Sequence, residues 1–548
     1  MKGLMQDWPL TVDTILDHAA KLYPDREVIT RTVAGPIEAR TYLAIHGRAK
    51  QVTNALKSDG FQLGDRVATI AWNTADHIET WYGAMGLGAV LHTVNPRLHP
   101  EQLAYVINHA EDTALFFDAT FLPLVKAVAP HLATVKRYVI YGGPETVPAD
   151  HGLPNLISYE VYIDGQSQDA EWGGFPEDTA CGLCYTSGTT GNPKGVLYSH
   201  RSNYIHTLIT MQADCLAASS RDVILPVVPM FHANAWGLAF SAPACGAQLI
   251  MPGPRMDGPA IYELLDTYKV SMTAAVPTVW LMLLNHLEEN DLKLPHLQRV
   301  VIGGSAVPER ILKTFEEKYE VEVAHAWGMT ETSPLGTVGA LPYQMLDKPL
   351  EERVAYKLKQ GRTPFGVEMK VVNEAGEELP RDGKTSGKVL VRGPAIVKEY
   401  FKGEGGQILD KDGWFDTGDV AHIDPFGTMQ ITDRAKDVIK SGGEWISSID
   451  LENIAVGHPK LDNAAAIGIY HPKWDERPLL IVQPKEGETV TKEEVLAFLE
   501  GKIAKWWTPD DVVTVEAIPL GATGKINKLA LREQFKDYVL PTATQAAE

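Results

Sequence analysis

An apolar run, Ala180 to Tyr185, passes directly into the glycine-punctuated polar stretch YTSGTTGNPKG, from Tyr185 to Gly195, and this junction constrains the fold more than any other feature of the chain. A short, continuous apolar segment reads as a strand buried on both faces, the kind found where helices cover a parallel sheet. The polar stretch then falls at that strand's carboxyl end, where open α/β sheets bind ligands. Gly188, Gly191 and Gly195 allow turns and close backbone approach, so successive N–H groups can face an anion. Thr186, Ser187, Thr189 and Thr190 add short hydroxyl donors, and Lys194 adds a mobile cation suited to phosphate oxygens. The Walker loop instead sets its lysine directly before Ser/Thr at a helix start, whereas Pro193 and Lys194 close this loop. Composition alone would describe a solvated surface loop as well.

The length of 548 residues exceeds a single core, so several subdomains are expected. Fifty Lys and Arg against seventy Asp and Glu leave a net charge of −20, which opposes nucleic-acid and anionic-membrane partners and requires any phosphate site to be locally basic. No window approaches the roughly 18 apolar residues of a membrane span, and MKGLMQDWPL lacks a long apolar core of the signal-peptide kind, so a cytoplasmic enzyme is expected. Of the four cysteines, Cys181 and Cys184 have CxxC spacing, but they sit inside the apolar run without a second CxxC, which favours packing over a metal or redox role.

From Thr11 to about Gly60 the pattern reads as helical, with Ile45, Ala49, Val52 and Leu56 on one face. Short apolar strands then alternate with helices: Arg66 to Ile70, Thr113 to Phe117, Tyr138 to Tyr141, and downstream Val223 to Pro229, Gln248 to Met251, Thr273 to Val276, Val300 to Ile302 and Val321 to Ala324. This rhythm predicts a doubly wound α/β domain with parallel sheets. After Gly361 shorter strands with turn signals predict a β-rich subdomain over about 361–433 within a large domain of 1–433. Residues 434–548 read as a small α+β C-terminal domain, whose helix from about Lys492 to Lys505 begins with a capping box of Thr491 and Glu494.

Five further motifs stand in order along the chain: FHANAWG (Phe231 to Gly237), AWGMTET (Ala326 to Thr332), TGD (Thr417 to Asp419), DRAKDVIKSGGEWIS (Asp433 to Ser447) and GATGKINK (Gly521 to Lys528). With YTSGTTGNPKG they resemble the signatures of the acyl-adenylate-forming superfamily of acyl-CoA synthetases, adenylation domains and luciferases. The resemblance runs from about Leu10 to Tyr538 and looks nearest to bacterial medium-chain fatty-acyl-CoA and 3-methylmercaptopropionyl-CoA ligases. It implies a large AMP-binding domain with a mobile C-terminal domain, ATP and CoA as co-substrates, Mg²⁺ as cofactor, and an acyl adenylate that becomes a CoA thioester. Related ligases are often homodimers. A carrier-protein thiol as acceptor, or an aryl acid as substrate, stays open on motifs alone.

Site residues follow from the same resemblance. Lys525, in a Gly-Ala-Thr-Gly turn, would contact the reacting carboxylate and α-phosphate, with Glu331 and His232 as further catalytic candidates. Glu331 would hold the metal together with Thr186. ATP or AMP would meet the loop residues Thr186, Ser187, Gly188, Thr189, Thr190 and Lys194, together with Gly304, Ser305 and Ala306, and with His325, Ala326, Trp327, Gly328 and Thr330. Asp419 and Arg434 would grip ribose, with Lys436 and Lys440 nearby, and the small domain would rotate about Lys436. Gly442, Gly443, Glu444 and Trp445 would serve the thioester stage, while Trp236 and Gly303 would wall the acyl pocket. His232 stands where amino-acid adenylation domains carry the Asp that pairs a substrate ammonium, so a small or medium-chain uncharged acid is expected.

Overall fold

Between Asp13 and Ser58 the helical spacing is broken by a hairpin. The computed structural model, which describes residues 1, 3–186, 192–441, 444–521 and 525–545, has helices Asp13–Leu22 and Tyr42–Ser58 flanking antiparallel strands Glu27–Arg31 and Ile37–Thr41. The unbroken helical reading of this segment is therefore corrected. Val28, Ile29 and Thr30 are β-branched and favour a pleated surface, and Gly35 with Pro36 supplies the turn. Ile45, Ala49, Val52 and Leu56 do share the buried face of the second helix, whose N-terminus is capped by the Thr41 hydroxyl.

The chain divides into two units, 1–186 with 192–368 and 392–415, and 369–391 with 416–548. The first holds two large sheets. One has seven strands; neighbours among Arg66–Ile70, Val90–Thr93, Ala114–Phe117, Arg137–Ile140, Leu156–Ser158 and Ala180–Tyr185 pair in parallel, and Gly195–Ser199 closes the edge antiparallel. The other has eight strands, with Val223–Pro226, Gln248–Met251, Met272–Ala275, Arg299–Ile302 and Glu322–Gly328 in parallel register and antiparallel strands Leu335–Val338 and Ile37–Thr41 at its edges. Helices cover these sheets, and their strands are buried almost throughout, as expected of sheets covered on both faces. Trp81 and Trp280, both fully buried, anchor the two main cores. Cys181 and Cys184 are free and buried, and burial pushes both thiols up, to about 12 and about 11.

In the second unit a four-stranded sheet runs through Glu368–Val372, Gly387–Arg392, Phe415–Ile423 and Met429–Arg434. A five-stranded sheet is built on the long antiparallel pair Leu461–His471 and Asp475–Pro484, with Asp511–Thr514 joining in parallel. The capping box at Thr491 and Glu494 is present, on a helix that spans Lys492–Leu499. Among the described residues no helix is long and apolar enough to cross a membrane.

Candidate functional site

In the first unit the strands on either side of the phosphate-loop motif pair with each other. Ala180–Tyr185 pairs antiparallel with Gly195–Ser199, and beyond that ladder the Thr186 N–H donates to the Lys194 carbonyl at 2.9 Å while the Lys194 N–H donates to Thr186 Oγ1 at 3.1 Å. Ser187, Gly188, Thr189 and Thr190 lie outside the described residues. The end of the ladder therefore fixes where Thr186 leaves the sheet and where Lys194 returns to it. The Lys194 ammonium sits 5.0 Å over the Tyr400 ring, a cation–π contact.

Tyr400 also donates its phenol to Glu331 Oε1 at 2.7 Å. Glu331 lies in the short 3₁₀ turn Thr330–Thr332 and is 7% exposed, and the Tyr198 hydroxyl donates to the Thr330 carbonyl at 2.7 Å. One aromatic residue thus touches both the loop lysine and the carboxylate. Tyr400 and Tyr198 were not among the residues singled out from the sequence, because a lone tyrosine on a loop or strand has no spacing that distinguishes it. Among the described residues no group of three or more His, Cys, Asp and Glu side chains is arranged as a metal cage. A single buried carboxylate, oriented by a phenol, fits Mg²⁺, which takes one or two protein carboxylates and completes its shell with water and substrate phosphates.

The loops that leave neighbouring strands converge as the βα pattern requires. Gly303 follows Arg299–Ile302, and a Cβ built there would lie 2.9 Å from the Ala326 carbonyl and 3.3 Å from the Trp236 ring. Trp236, Gly303 and Ala326 therefore form one wall. Gly304, at φ +82°, turns the chain toward Ser305 and Ala306. Trp236 belongs to a five-residue turn, Ala233 to Gly237, in which every φ is positive, from +35° to +82°. Such left-handed backbone costs non-glycine residues about 1–2 kcal/mol each. Ala233, Ala235 and Leu238 beside it are buried, and His232 stacks on Phe231 with ring centroids 5.2 Å apart. His325 and Trp327 lie on strand Glu322–Gly328; His325 Nδ1 bonds the Leu358 carbonyl at 3.0 Å, and burial holds its ring neutral, with a pKa pushed down to about 4.

In the second unit three predicted residues meet. Asp419 and Arg434 face each other across the antiparallel strands Phe415–Ile423 and Met429–Arg434, with Arg434 Nε donating to Asp419 Oδ1 at 2.7 Å. Asp419 is 1% exposed, whereas the Arg434 side chain is 39% exposed, so the arginine presents its outer face. Lys525 sits in the turn between the bridged residues Leu520 and Ile526, where the Gly521 N–H donates to the Lys525 carbonyl at 2.7 Å. Part of Lys525 is open to solvent, yet desolvation of its ammonium and the charge of Arg434, opposed by Asp419, push its pKa down to about 8. The motif residues Lys525, Arg434 and Asp419 therefore form one electrostatic group.

Lys436 follows Arg434 directly after the strand, and burial pushes its pKa down. Lys440 projects from strand Ile439–Ser441, its N–H held by Glu476 at 2.9 Å. Gly442 and Gly443 lie outside the described residues, and Glu444 and Trp445 are described only by their backbone, in strand Glu444–Ile446 paired to Ile439–Ser441. Lys528, three residues beyond Lys525, reads from the sequence either as a second, less specific catalytic cation or as a merely solvated one; the structure buries it against Glu452 at 2.8 Å.

The motif residues thus fall on strand ends and turns of an α/β protein, with Thr186, Lys194, Glu331 and Trp236 in the first unit and Asp419, Arg434 and Lys525 in the second. The chain belongs to the AMP-binding enzyme family, which matches residues 16–401, with the family's C-terminal domain matching 450–525. It is an AMP-forming acyl-CoA ligase that uses ATP and CoA. It is 50% identical to the 3-methylmercaptopropionyl-CoA ligase of Ruegeria lacuscaerulensis, over 98% of this chain and 99% of the relative. It is 45% identical to the medium-chain-fatty-acid–CoA ligase of Ectopseudomonas oleovorans, over the full length of both. The ATP-bound crystal structure of MatB from Rhodopseudomonas palustris superposes with a TM-score of 0.80 at 25% identity, covering 95% of this chain and 99% of that one.

Proposed function

We propose that this ligase activates a short or medium-chain uncharged carboxylic acid, such as hexanoate, octanoate or 3-(methylthio)propionate. The observation that carries this reading is the wall formed by Trp236 against Gly303, with buried Ala233, Ala235 and Leu238 around it and no carboxylate at position 232. An apolar wall stabilises an acyl chain by roughly 0.8 kcal/mol per buried CH₂, whereas a substrate ammonium placed there would lose its water with no carboxylate at position 232 in return. The similar 3-methylmercaptopropionyl-CoA and medium-chain-fatty-acid–CoA ligases are named for acids of this size.

In the first half-reaction a carboxylate oxygen attacks the α-phosphorus, the bond to pyrophosphate breaks, and an acyl adenylate forms. Thr186 and Lys194, fixed at the end of the ladder, would orient the leaving phosphates; Asp419 and Arg434 would hold the ribose; and the Lys525 ammonium would bridge the carboxylate and the α-phosphate, where negative charge must be offset. Mg²⁺, held by Glu331 with Thr186, would neutralise phosphate charge. In the second half-reaction the CoA sulfur attacks the acyl carbon, the bond to AMP breaks, and the thioester forms. Pyrophosphate has left by that stage and the groups that served its departure are no longer useful, which supports a rotation of the C-terminal domain, 434–548, about Lys436 relative to 1–433, withdrawing Lys525 and bringing Gly442, Gly443, Glu444 and Trp445 to the acyl group. Cytoplasmic location and two-fold assembly complete the reading, on the habit of similar ligases.

The test is a panel of straight-chain, thioether, aryl and amino acids with ATP and CoA, followed by AMP release. The expected ranking puts uncharged acids with chains of about five to eight atoms, carbon and sulfur together, first. A preference for an amino acid would overturn the proposal.

A further inference from the structure

Helix Lys528–Gln534 begins three residues after Lys525 and carries two cations, one turn apart, that reach the segment on either side of Lys436. The Lys528 ammonium, its side chain 10% exposed, bonds Glu452 Oε1 at 2.8 Å and Ser448 Oγ at 2.5 Å. Ser448 in turn gives both of its donors to Asp433: its N–H to Oδ2 at 2.6 Å and its hydroxyl to Oδ1 at 2.9 Å. Asp433 and Ser448 are fully buried, and Asp433 Oδ1 also accepts the N–H of Arg434 at 2.7 Å. One turn along the same helix, Arg532 Nη1 bonds Asp437 Oδ1 at 2.7 Å. The helix therefore grips Asp433 through Ser448 and Asp437 directly, with Lys436 between them.

This circuit links the turn that carries Lys525 to the strand end that carries Arg434, and Arg434 is the partner of Asp419. We propose that Lys528, with Glu452 and Ser448, is a positioning residue that fixes Lys525 against the Asp419–Arg434 pair and so serves adenylation selectively. The inference rests on the two-step reading above. If the C-terminal domain turns about Lys436, Asp433 stays on one side of the joint while Ser448, Glu452 and Lys528 travel on the other. The Asp433–Ser448 bonds then belong to the adenylating arrangement alone, whereas the Lys528–Glu452 pair rides along intact. A buried ion pair gives little net stability, so its retention here points to specificity of arrangement.

Removing one charge of a buried pair can unfold a domain, so the test uses the charge-balanced double variant Lys528→Met with Glu452→Gln, the mild variant Ser448→Ala, and Lys528→Arg as the conservative rescue. Each is assayed by acid-dependent exchange of labelled pyrophosphate into ATP and, separately, by thioester formation from presynthesised acyl adenylate and CoA. A displacement of about 1 Å at a reacting group can cost about a hundredfold, so the double variant should lose about ten- to a hundredfold in exchange, and Ser448→Ala a smaller factor. Thioester formation should stay within about twofold, and Lys528→Arg should restore exchange to within about threefold of the parent. Equal losses in both half-reactions, or none in either, would overturn the positioning role. Absence of acid-dependent exchange in the parent enzyme would instead overturn the two-step reading and, with it, this inference.

Discussion

Lys525 and Lys528 stand three residues apart at the base of one helix and occupy opposite electrostatic situations. Burial opposes the charge of Lys528, but Glu452 and then Asp433 offset that cost, and its pKa ends above the ordinary lysine value. Desolvation also opposes the charge of Lys525, but there the cation Arg434 adds to the penalty more than Asp419 relieves it, and the pKa falls to about 8. The first arrangement keeps its proton inside a buried, fully paired network. The second keeps an ammonium short of compensation until an anion arrives, which suits a group meant to meet a phosphate and a carboxylate. Local sequence pattern does not separate the two; their partners, 76 and 106 positions away in the chain for Lys528–Glu452 and Lys525–Asp419, do.

The contrast can be broken most directly through stability. Lys528→Met alone leaves Glu452 buried without its cation and should cost about 3–5 kcal/mol in denaturant unfolding, whereas Lys525→Met should stay within about 0.5 kcal/mol of the parent. Comparable losses at the two positions would erase the distinction. Next in size is catalysis: Lys525→Ala should lower acid-dependent pyrophosphate exchange by about 10²–10³-fold while sparing thioester formation from presynthesised adenylate. A parallel loss in both half-reactions would show that the lysine serves both stages. The smallest effect is in pH. Because the protonated form is the one that meets phosphate, kcat/KM for ATP in the exchange reaction should fall as pH rises through about 8, where Lys525 loses its proton. Lys525→Arg should lack that limb, since guanidinium does not titrate in this range; a persisting limb would assign the titration to another group.

The strands that read as buried apolar runs between helices occur where expected, Arg66–Ile70 and Gln248–Met251 with identical limits, because period and burial are local properties of the chain. The early hairpin at Glu27–Thr41 was not legible, since the flanking helices share an apolar spacing that masks five-residue strands. Asp419, Arg434 and Lys525 were legible by resemblance and turn out to be neighbours. Tyr400, which touches both Lys194 and Glu331, was not, because its importance comes only from where a loop some 70 residues beyond Glu331 returns. The Ser448–Asp433–Lys528 circuit was hidden for the same reason: each member alone resembles an ordinary surface polar residue.

The turn from Ala233 to Gly237 runs against the hand natural to L-residues, and four of its five members carry a Cβ. Redesign of acid preference meets resistance there. Bulkier or branched side chains at 233 to 235 would add to a conformational penalty that the surrounding core already has to offset. At Gly303 a single added carbon would lie 2.9 Å from the backbone carbonyl of Ala326 and 3.3 Å from the indole, so the main chain itself would have to shift. The indole is thus hemmed in by backbone on both flanks, and a change of chain-length preference asks the main chain, not only a side chain, to move.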